Sequence, residues 1–309
     1  MQAYLSLLAG IVCAGFGGEL FVRGAVGIAR WLRISPGIVA VTVAAFATSS
    51  PELSVSVSAA LAGAPQIGMG DALGSNVVNV SLILASALII SGIRCPRDSV
   101  RRDFPVALAV PLLTCVIVAD GVVSSLEGVV MFTGFVAWLA AAVTEAARQR
   151  RRTPADGTPA SHARTALAAV AGLALLTMAG SLVVGGARGI ALSYGLDEFV
   201  IGATIVAVGT SVPEIATTVV AKLRGHDEVG LGTILGSNVF NGLFIVPIAA
   251  MIHPIHFHPR DAFVALAFGA VAVALTLPLK DGRIGRVRGV LLLLLYSVYL
   301  ASVLRYIAF

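Results

Sequence analysis

Two glutamates, Glu52 and Glu214, stand in the middle of long apolar stretches, each with hydroxyl side chains at helical spacing. Thr48 and Ser49 precede Glu52 by four and three residues, and Thr210 and Ser211 precede Glu214 likewise, so hydroxyls and carboxylate share one helix face. Pro51 and Pro213 have no N–H, which deprives the carbonyls of Ala47 and Gly209 of their helical partners. Broken helix is tolerated at membrane depth only where it is buried in protein or lines a cavity, so these carbonyls are candidate cation ligands. Ser75 and Asn79, and Ser237 and Asn241, are further i,i+4 pairs whose oxygens can complete a cage. The inventory is all oxygen, with no His or Cys. Hard cations such as Ca²⁺ and Na⁺ suit it, and Ca²⁺ accepts flexible arrangements of about 6–8 oxygens. Zinc or copper would call for softer ligands, and Mg²⁺ dehydrates reluctantly. An ionised carboxylate at the bilayer centre costs at least about 2.5–3.5 kcal/mol, which is why such residues mark ion paths. A lone buried glutamate is as well explained by a protonated side chain bonded to a neighbouring helix. Two at matching positions are not.

The elements that must hold these residues are membrane helices. Of 309 residues, 58% are hydrophobic and only 12% charged, with a mean hydropathy of +0.96. A soluble domain carries roughly a quarter charged residues, so an ordinary soluble enzyme, a disordered chain and a free nucleic-acid binder are excluded. Three cysteines, Cys13, Cys95 and Cys115, show neither disulfide nor zinc spacing. The start, MQAYLSLLAG, lacks the basic residues of a cleavable signal peptide and reads as the first span. Ten spans are predicted at about 3–29, 36–61, 70–92, 104–119, 126–147, 165–192, 198–221, 229–251, 262–279 and 289–308, the fourth short and the first and sixth long. Residues 148–164, Arg-rich and then rich in Pro, Gly, Ser and Ala, separate a first five-helix half (1–147) from a second (165–309). With ten spans, 17 of the 21 Lys and Arg residues fall on the side of that linker. By the positive-inside rule this side is cytoplasmic and both termini face out of the cell or inner membrane. The net charge of +5 is therefore topology rather than a nucleic-acid footprint.

A shift of 162 residues lays 21–80 on 183–242 without a gap, with 24 of 60 positions identical. Thr48-Ser49-Ser50-Pro51-Glu52 matches Thr210-Ser211-Val212-Pro213-Glu214, and Gly74-Ser75-Asn76-Val77-Val78-Asn79 matches Gly236-Ser237-Asn238-Val239-Phe240-Asn241. An odd number of spans separates the copies, so the second enters from the opposite side. The predicted fold is an all-α integral membrane protein of two inverted-topology repeats, whose ion site lies near midplane between the halves. Gly70 and Gly74, and Gly232 and Gly236, are small-xxx-small pairs for close helix packing.

At these residues the chain resembles the sodium/calcium exchanger (cation/Ca²⁺ antiporter) superfamily, especially its compact prokaryotic members, with their GTSxPE and GSNxxN or GSNxxD signatures. The resemblance implies a site between spans 2, 3, 7 and 8. Glu52 and Glu214 would be its central carboxylates, Thr48 and Thr210 would serve a Ca²⁺ position, and Ser49, Ser211, Ser75 and Ser237 flanking Na⁺ positions. Ala45 and Ala207 would supply carbonyls, Asn79 and Asn241 would line the middle, and spans 1 and 6 would slide across the core. It implies Na⁺/Ca²⁺ exchange by alternating access, with Ca²⁺ and Na⁺ as transported ions, no cofactor, the bilayer as surroundings and no obligate protein partner. Two positions depart from the pattern: Ala47 stands where Gly is usual, and Asn241 where several exchangers carry an acid. Two glutamates balance one Ca²⁺, whereas three Na⁺ leave one positive charge.

The remaining features carry less. Glu19 and Arg23 are i,i+4 and read as a neutralising pair. Arg188 reads as snorkelling, and His253, His256 and His258 as a solvated loop. The linker is too short to fold into a Ca²⁺-sensing domain. A proton- or K⁺-coupled exchanger is the nearest rival; proton-coupled relatives typically carry His after the glutamate, where this chain has Leu53 and Ile215. An intramembrane hydrolase at Ser49 or Ser211 lacks a His or Lys at helical spacing, and a passive channel fits a dry, carboxylate-bearing midplane poorly.

Overall fold

The computed structural model describes residues 2–97, 99–152, 162–193, 207–256, 259–278 and 281–307. Its helices are α1 (Gln2–Leu32), α2 (Pro36–Thr48), α3 (Ser50–Leu61), α4 (Pro65–Ile90), α5 (Ser99–Asp120), α6 (Ser125–Arg152), α7 (His162–Ser193), α8 (Ala207–Thr210), α9 (Val212–Leu223), α10 (Asp227–Ile252), α11 (Pro259–Leu275) and α12 (Arg286–Ile307). Each predicted span coincides with helix, the seventh as α8 and α9, because residues 198–206 lie outside the described residues. The fourth span is longer than predicted. Its helix begins at Ser99 because Arg102 neutralises the fully buried Asp103 through bonds of 2.7 and 3.0 Å, letting a charged turn join the span. Helix also runs through much of the predicted linker, taking residues up to Arg152 and from His162 on. Arginine is a good helix former, and cations favour a helix C-terminus. Residues 153–161 lie outside the described residues.

Two short antiparallel pairings join the halves: β1 (Ile93–Arg94) with β4 (Arg283–Ile284), and β2 (Val122–Val123) with β3 (Ile255–His256). The repeat offset relates β1 to β3 and β2 to β4, yet β1 and β2 sit at opposite ends of α5. The pseudo-two-fold axis thus exchanges one end of the molecule for the other, which is what inverted topology means in space.

α4 and α10 form the centre: 72% and 83% of their apolar windows are buried, against 11–39% for the other long helices. α10 crosses α2 through glycines. A Cβ built on Gly232 would lie 2.8 Å from that of Ala40, and one on Gly236 would lie 2.4 Å from the carbonyl oxygen of Val41. The predicted close approach is therefore found for the second glycine pair. The matching neighbours of Gly70 and Gly74 fall at 199, 202 and 203, outside the described residues, and at Ala207, whose side chain is outside them too. The two longest helices, α1 and α7, pack on each other outside this core; a Cβ on Gly172 would come within 2.4 Å of the Phe21 nitrogen. The Glu19–Arg23 pair forms at 2.5 Å, and Glu19 also bonds Arg224 at 2.8 Å, tying α1 to the end of α9.

The Gly236 contact is with backbone, which cannot yield. Gly236→Ala is expected to lower the thermal unfolding midpoint of the detergent-purified protein by an overpacking penalty of about 1–3 kcal/mol. Gly15→Ala, in open space on α1, should leave it unchanged.

Candidate functional site

The helix breaks put the carboxylates where they are. α2 and α3 meet at Ser49 with a 45° bend, Ser49 at φ −84°, ψ 10°. Ser211 at φ −83°, ψ 7° makes the same break between α8 and α9. Each second half-helix takes its proline in the first turn, where the missing N–H leaves no bond unmade. Glu52 and Glu214 also fall in these first turns, where the helix N-terminus favours negative charge.

One freed carbonyl is not free. The Ala47 oxygen, expected as a candidate ligand, accepts the Ser50 hydroxyl at 2.7 Å. The second repeat has Val212 at the position of Ser50 and cannot do the same. The Ala45 carbonyl accepts the Ser49 N–H at 3.0 Å and the Thr48 hydroxyl at 3.3 Å, so turning to an ion requires the threonine to rotate. Ala207 opens α8 on the matching turn, and its side chain lies outside the described residues.

Glu52 and Glu214 are each 1% exposed. The hydroxyls of Ser49 and Ser237 donate to Glu214 Oε1 at 3.3 and 3.2 Å, the first across the repeats and the second from α10. Thr48 also faces the Glu214 carboxylate, as Thr210 faces that of Glu52. Ser211 reaches Ser75 at 3.4 Å, again across the repeats. The structure therefore gathers the predicted glutamates, threonines and serines into one interior place, near enough for the two carboxylates to feel each other's charge.

An asparagine cluster, half of it missed from sequence, closes the centre. Asn76 donates to the backbone carbonyl of Asn238 at 3.3 Å, and Asn238 returns the bond to the Asn76 carbonyl at 3.2 Å. Asn79 donates to Asn238 Oδ1 at 3.1 Å, and Asn241 to Asn76 Oδ1 at 3.0 Å. Asn76 and Asn238 thus fix the amide orientation of Asn79 and Asn241. The latter two each begin a π-helical stretch, Asn79–Leu84 and Asn241–Ile245, a geometry that concentrates at functional sites. Their carbonyl oxygens, like Glu52 Oε2 and Glu214 Oε2, are buried without a hydrogen-bond partner.

A second omission is Asp71, one turn before Ser75 on α4. Thr210 approaches its Oδ1 at 3.5 Å, and its Oδ2 is buried without a partner. The signal was an acid four residues before Ser75, on the same face. Among the described residues no three of His, Cys, Asp and Glu converge to hold one metal ion, so any cation here takes neutral oxygens along with carboxylate. His253 bonds the adjacent Pro254 carbonyl at 3.0 Å and His256 sits in β3, while His258 and the Arg188 side chain lie outside the described residues. The three cysteines are free; burial, with the nearby Asp227 charge, pushes the Cys95 thiol up to about 12.

The chain matches known proteins over nearly its whole length. The putative antiporter CaxA of Alkalimonas amylolytica is 35% identical over 97% of this chain and 98% of its own. The sodium/calcium exchanger MaX1 of Methanosarcina acetivorans is 27% identical over 96% and 97%. Among solved structures, the sodium-calcium exchanger NCX_Mj aligns with a TM-score of 0.85 at 30% identity, covering 98% of each chain. The family model described as "Sodium/calcium exchanger protein" matches residues 2–144 and 165–305, and the chain belongs to that family of membrane cation/Ca²⁺ exchangers.

Proposed function

We propose that this protein exchanges Na⁺ for Ca²⁺ by alternating access, with the ions bound between α2/α3, α4, α8/α9 and α10. One observation carries the reading: Glu52 Oε2, Glu214 Oε2, Asn79 Oδ1 and Asn241 Oδ1, two from each repeat, are buried acceptors without donors. Buried polar atoms are almost always paired, and leaving one unpaired costs about 1–3 kcal/mol, more if it is charged. Ionised carboxylates and amide oxygens can only accept, and such a set is satisfied by a cation. Its hard oxygens favour Ca²⁺ and Na⁺ over softer metals.

In this reading Glu52 and Glu214 are shared by the two ions. Thr48, Thr210 and the carbonyls of Ala45 and Ala207 complete the Ca²⁺ position; Ser49, Ser75, Ser211 and Ser237 serve flanking Na⁺ positions. Asn79 and Asn241 line the middle, oriented by Asn76 and Asn238. Because the ions compete for the same carboxylates, an inward Na⁺ gradient drives Ca²⁺ outward. Each net charge moved through 100 mV contributes about 2.3 kcal/mol. The α1–α7 pair, outside the core and joined to it by Glu19–Arg224, supplies the moving element. The linker end faces the cytoplasm and both described ends face out.

The test is Na⁺-gradient-driven ⁴⁵Ca²⁺ flux in proteoliposomes. Glu52→Gln and Glu214→Gln are each expected to reduce it at least about tenfold, a loss of some 1.4 kcal/mol or more. Undiminished flux in either variant removes the shared-carboxylate site, and flux driven by a pH gradient without Na⁺ reassigns the coupling ion to the proton.

Asn238→Ala removes the acceptor that orients Asn79 and strands a buried amide donor. It is expected to lower the melting midpoint and to weaken Ca²⁺ binding about tenfold, in line with a stranded-donor penalty of about 1–3 kcal/mol. Equilibrium ⁴⁵Ca²⁺ binding to the purified variant checks this.

A further inference from the structure

We propose that Asp71 forms, with Thr210 and Glu52, an additional position for a monovalent cation beside the glutamate pair, giving the site its third negative charge. The proposal rests on the exchanger reading above and adds to it a residue that reading does not use.

Three observations meet here. Asp71 lies on α4, and the Thr210 hydroxyl stands 3.5 Å from its Oδ1 while also facing the Glu52 carboxylate, so one hydroxyl sits between two acids. Asp71 Oδ2 and Glu52 Oε2 are both buried without a partner, and Glu52 is 1% exposed. The two carboxylates are close enough to interact electrostatically. Among the described residues no Lys or Arg forms an ion pair with either acid, and the side chain that faces both is the Thr210 hydroxyl. A cation between Asp71 and Glu52 would satisfy both orphan oxygens at once, the Thr210 oxygen serving as a third ligand.

The repeat shows that packing does not impose this acid. Asp71 overlays Thr233, which is fully buried and bonds the Val229 carbonyl at 2.9 Å within its own helix. Asp71 is thus a charge added to one copy of a site that is otherwise symmetric in its glutamates and asparagines. Its use follows from charge balance. Glu52 and Glu214 balance one divalent ion, but a load of more than two monovalent ions leaves net positive charge in a dry interior, which is strongly unfavourable. A third carboxylate removes the excess. Among the described residues no three acids converge on a single metal position, so Asp71 extends the site rather than joining the central ion.

The position is also one-sided. α4 carries the chain toward β1, and Lys222, near the end of α9, bonds the Gly92 carbonyl beside β1 at 2.8 Å. Asp71 lies in the first third of α4, toward the end away from β1, and Thr210 precedes the break at Ser211, at the opposite end of α9 from Lys222. The added site therefore lies between the glutamates and the face away from the linker.

The experiment compares wild type, Asp71→Asn, Asp71→Thr and the double variant Asp71→Asn/Asn241→Asp in proteoliposomes. Asp71→Thr copies the residue that the second repeat accommodates at the matching place, which guards against simple misfolding. Ca²⁺ self-exchange, measured with ⁴⁵Ca²⁺ on both sides, reports a folded transporter. Ca²⁺ efflux is then titrated with Na⁺ at fixed pH and, in a separate arm, with protons in the absence of Na⁺; the arm that responds identifies the monovalent cation. In both single variants the half-saturating concentration of the driving ion should rise on the order of fivefold or more, as expected for a lost charge contact. The Hill slope should fall by about one, and the double variant should recover it, which a merely structural role for Asp71 would not produce. Unchanged half-saturation and slope in the single variants overturn the Asp71 assignment while leaving the exchanger reading intact. Absence of Ca²⁺ self-exchange in the wild type sinks the exchanger reading and this inference with it.

Discussion

Acceptor oxygens without donors, held in the middle of a membrane protein, are the constraint from which the rest of the architecture follows. Glu52 and Glu214 are nearly inaccessible, and each keeps one oxygen without a hydrogen-bond partner. Water cannot freely supply the missing donors at this depth, and lipid supplies none. Such a centre persists only if it is sheltered and if the surrounding scaffold offsets its energetic cost. α4 and α10, by far the most buried of the long helices, provide that scaffold.

Local chemistry and the pseudo-two-fold axis divide the task of positioning. Within one repeat, a proline in the first turn and a bend at serine place the glutamate against a helix N-terminus. Across the repeats, Ser49 reaches Glu214, and Asn76 and Asn238 exchange bonds with each other's backbone. The cross-repeat contacts make the site a property of the assembled halves. Neither half alone can orient Asn79 or Asn241, since each takes its fixing bond from the opposite copy.

That division explains what the sequence made legible. The glutamates, their hydroxyl companions and the repeat were readable because they obey spacings of three, four and 162 residues. The positions of Asn76 and Asn238 were visible inside the motif, but their role was not, because their partners are found only once the halves dock. The Ser50 cap on Ala47 went unseen for a related reason: proline chemistry announces a lost N–H, and only the structure shows which hydroxyl takes its place. The helical charged turn from Ser99 was hidden because a hydropathy count penalises Arg102 and Asp103 separately, whereas the fold buries them as a pair. Asp71 stands four residues before Ser75, but the second repeat has Thr233 at the matching place, so the symmetry that marks the other candidate ligands gives no sign of it.

The departures from symmetry bear on how such a molecule works. In a transporter built from perfectly matched inverted repeats, the two access states would be interchanged by the two-fold axis and would have equal energy. This chain is not matched. Ser50 caps a broken carbonyl that Val212 leaves uncapped, and Asp71 faces Thr210 while its counterpart Thr233 bonds within its own helix. Glu19 ties α1 to Arg224, yet the residue matching Glu19 under the 162-residue offset is Ser181, which bonds the Thr177 carbonyl of its own helix. Each difference stabilises one half's geometry without an equal effect on the other. A two-state equilibrium responds to any such differential free energy, whatever its source. In the alternating-access reading proposed above, the unloaded protein would therefore prefer one access state, and a bound ion would reverse that preference only by as much as its affinities for the two states differ.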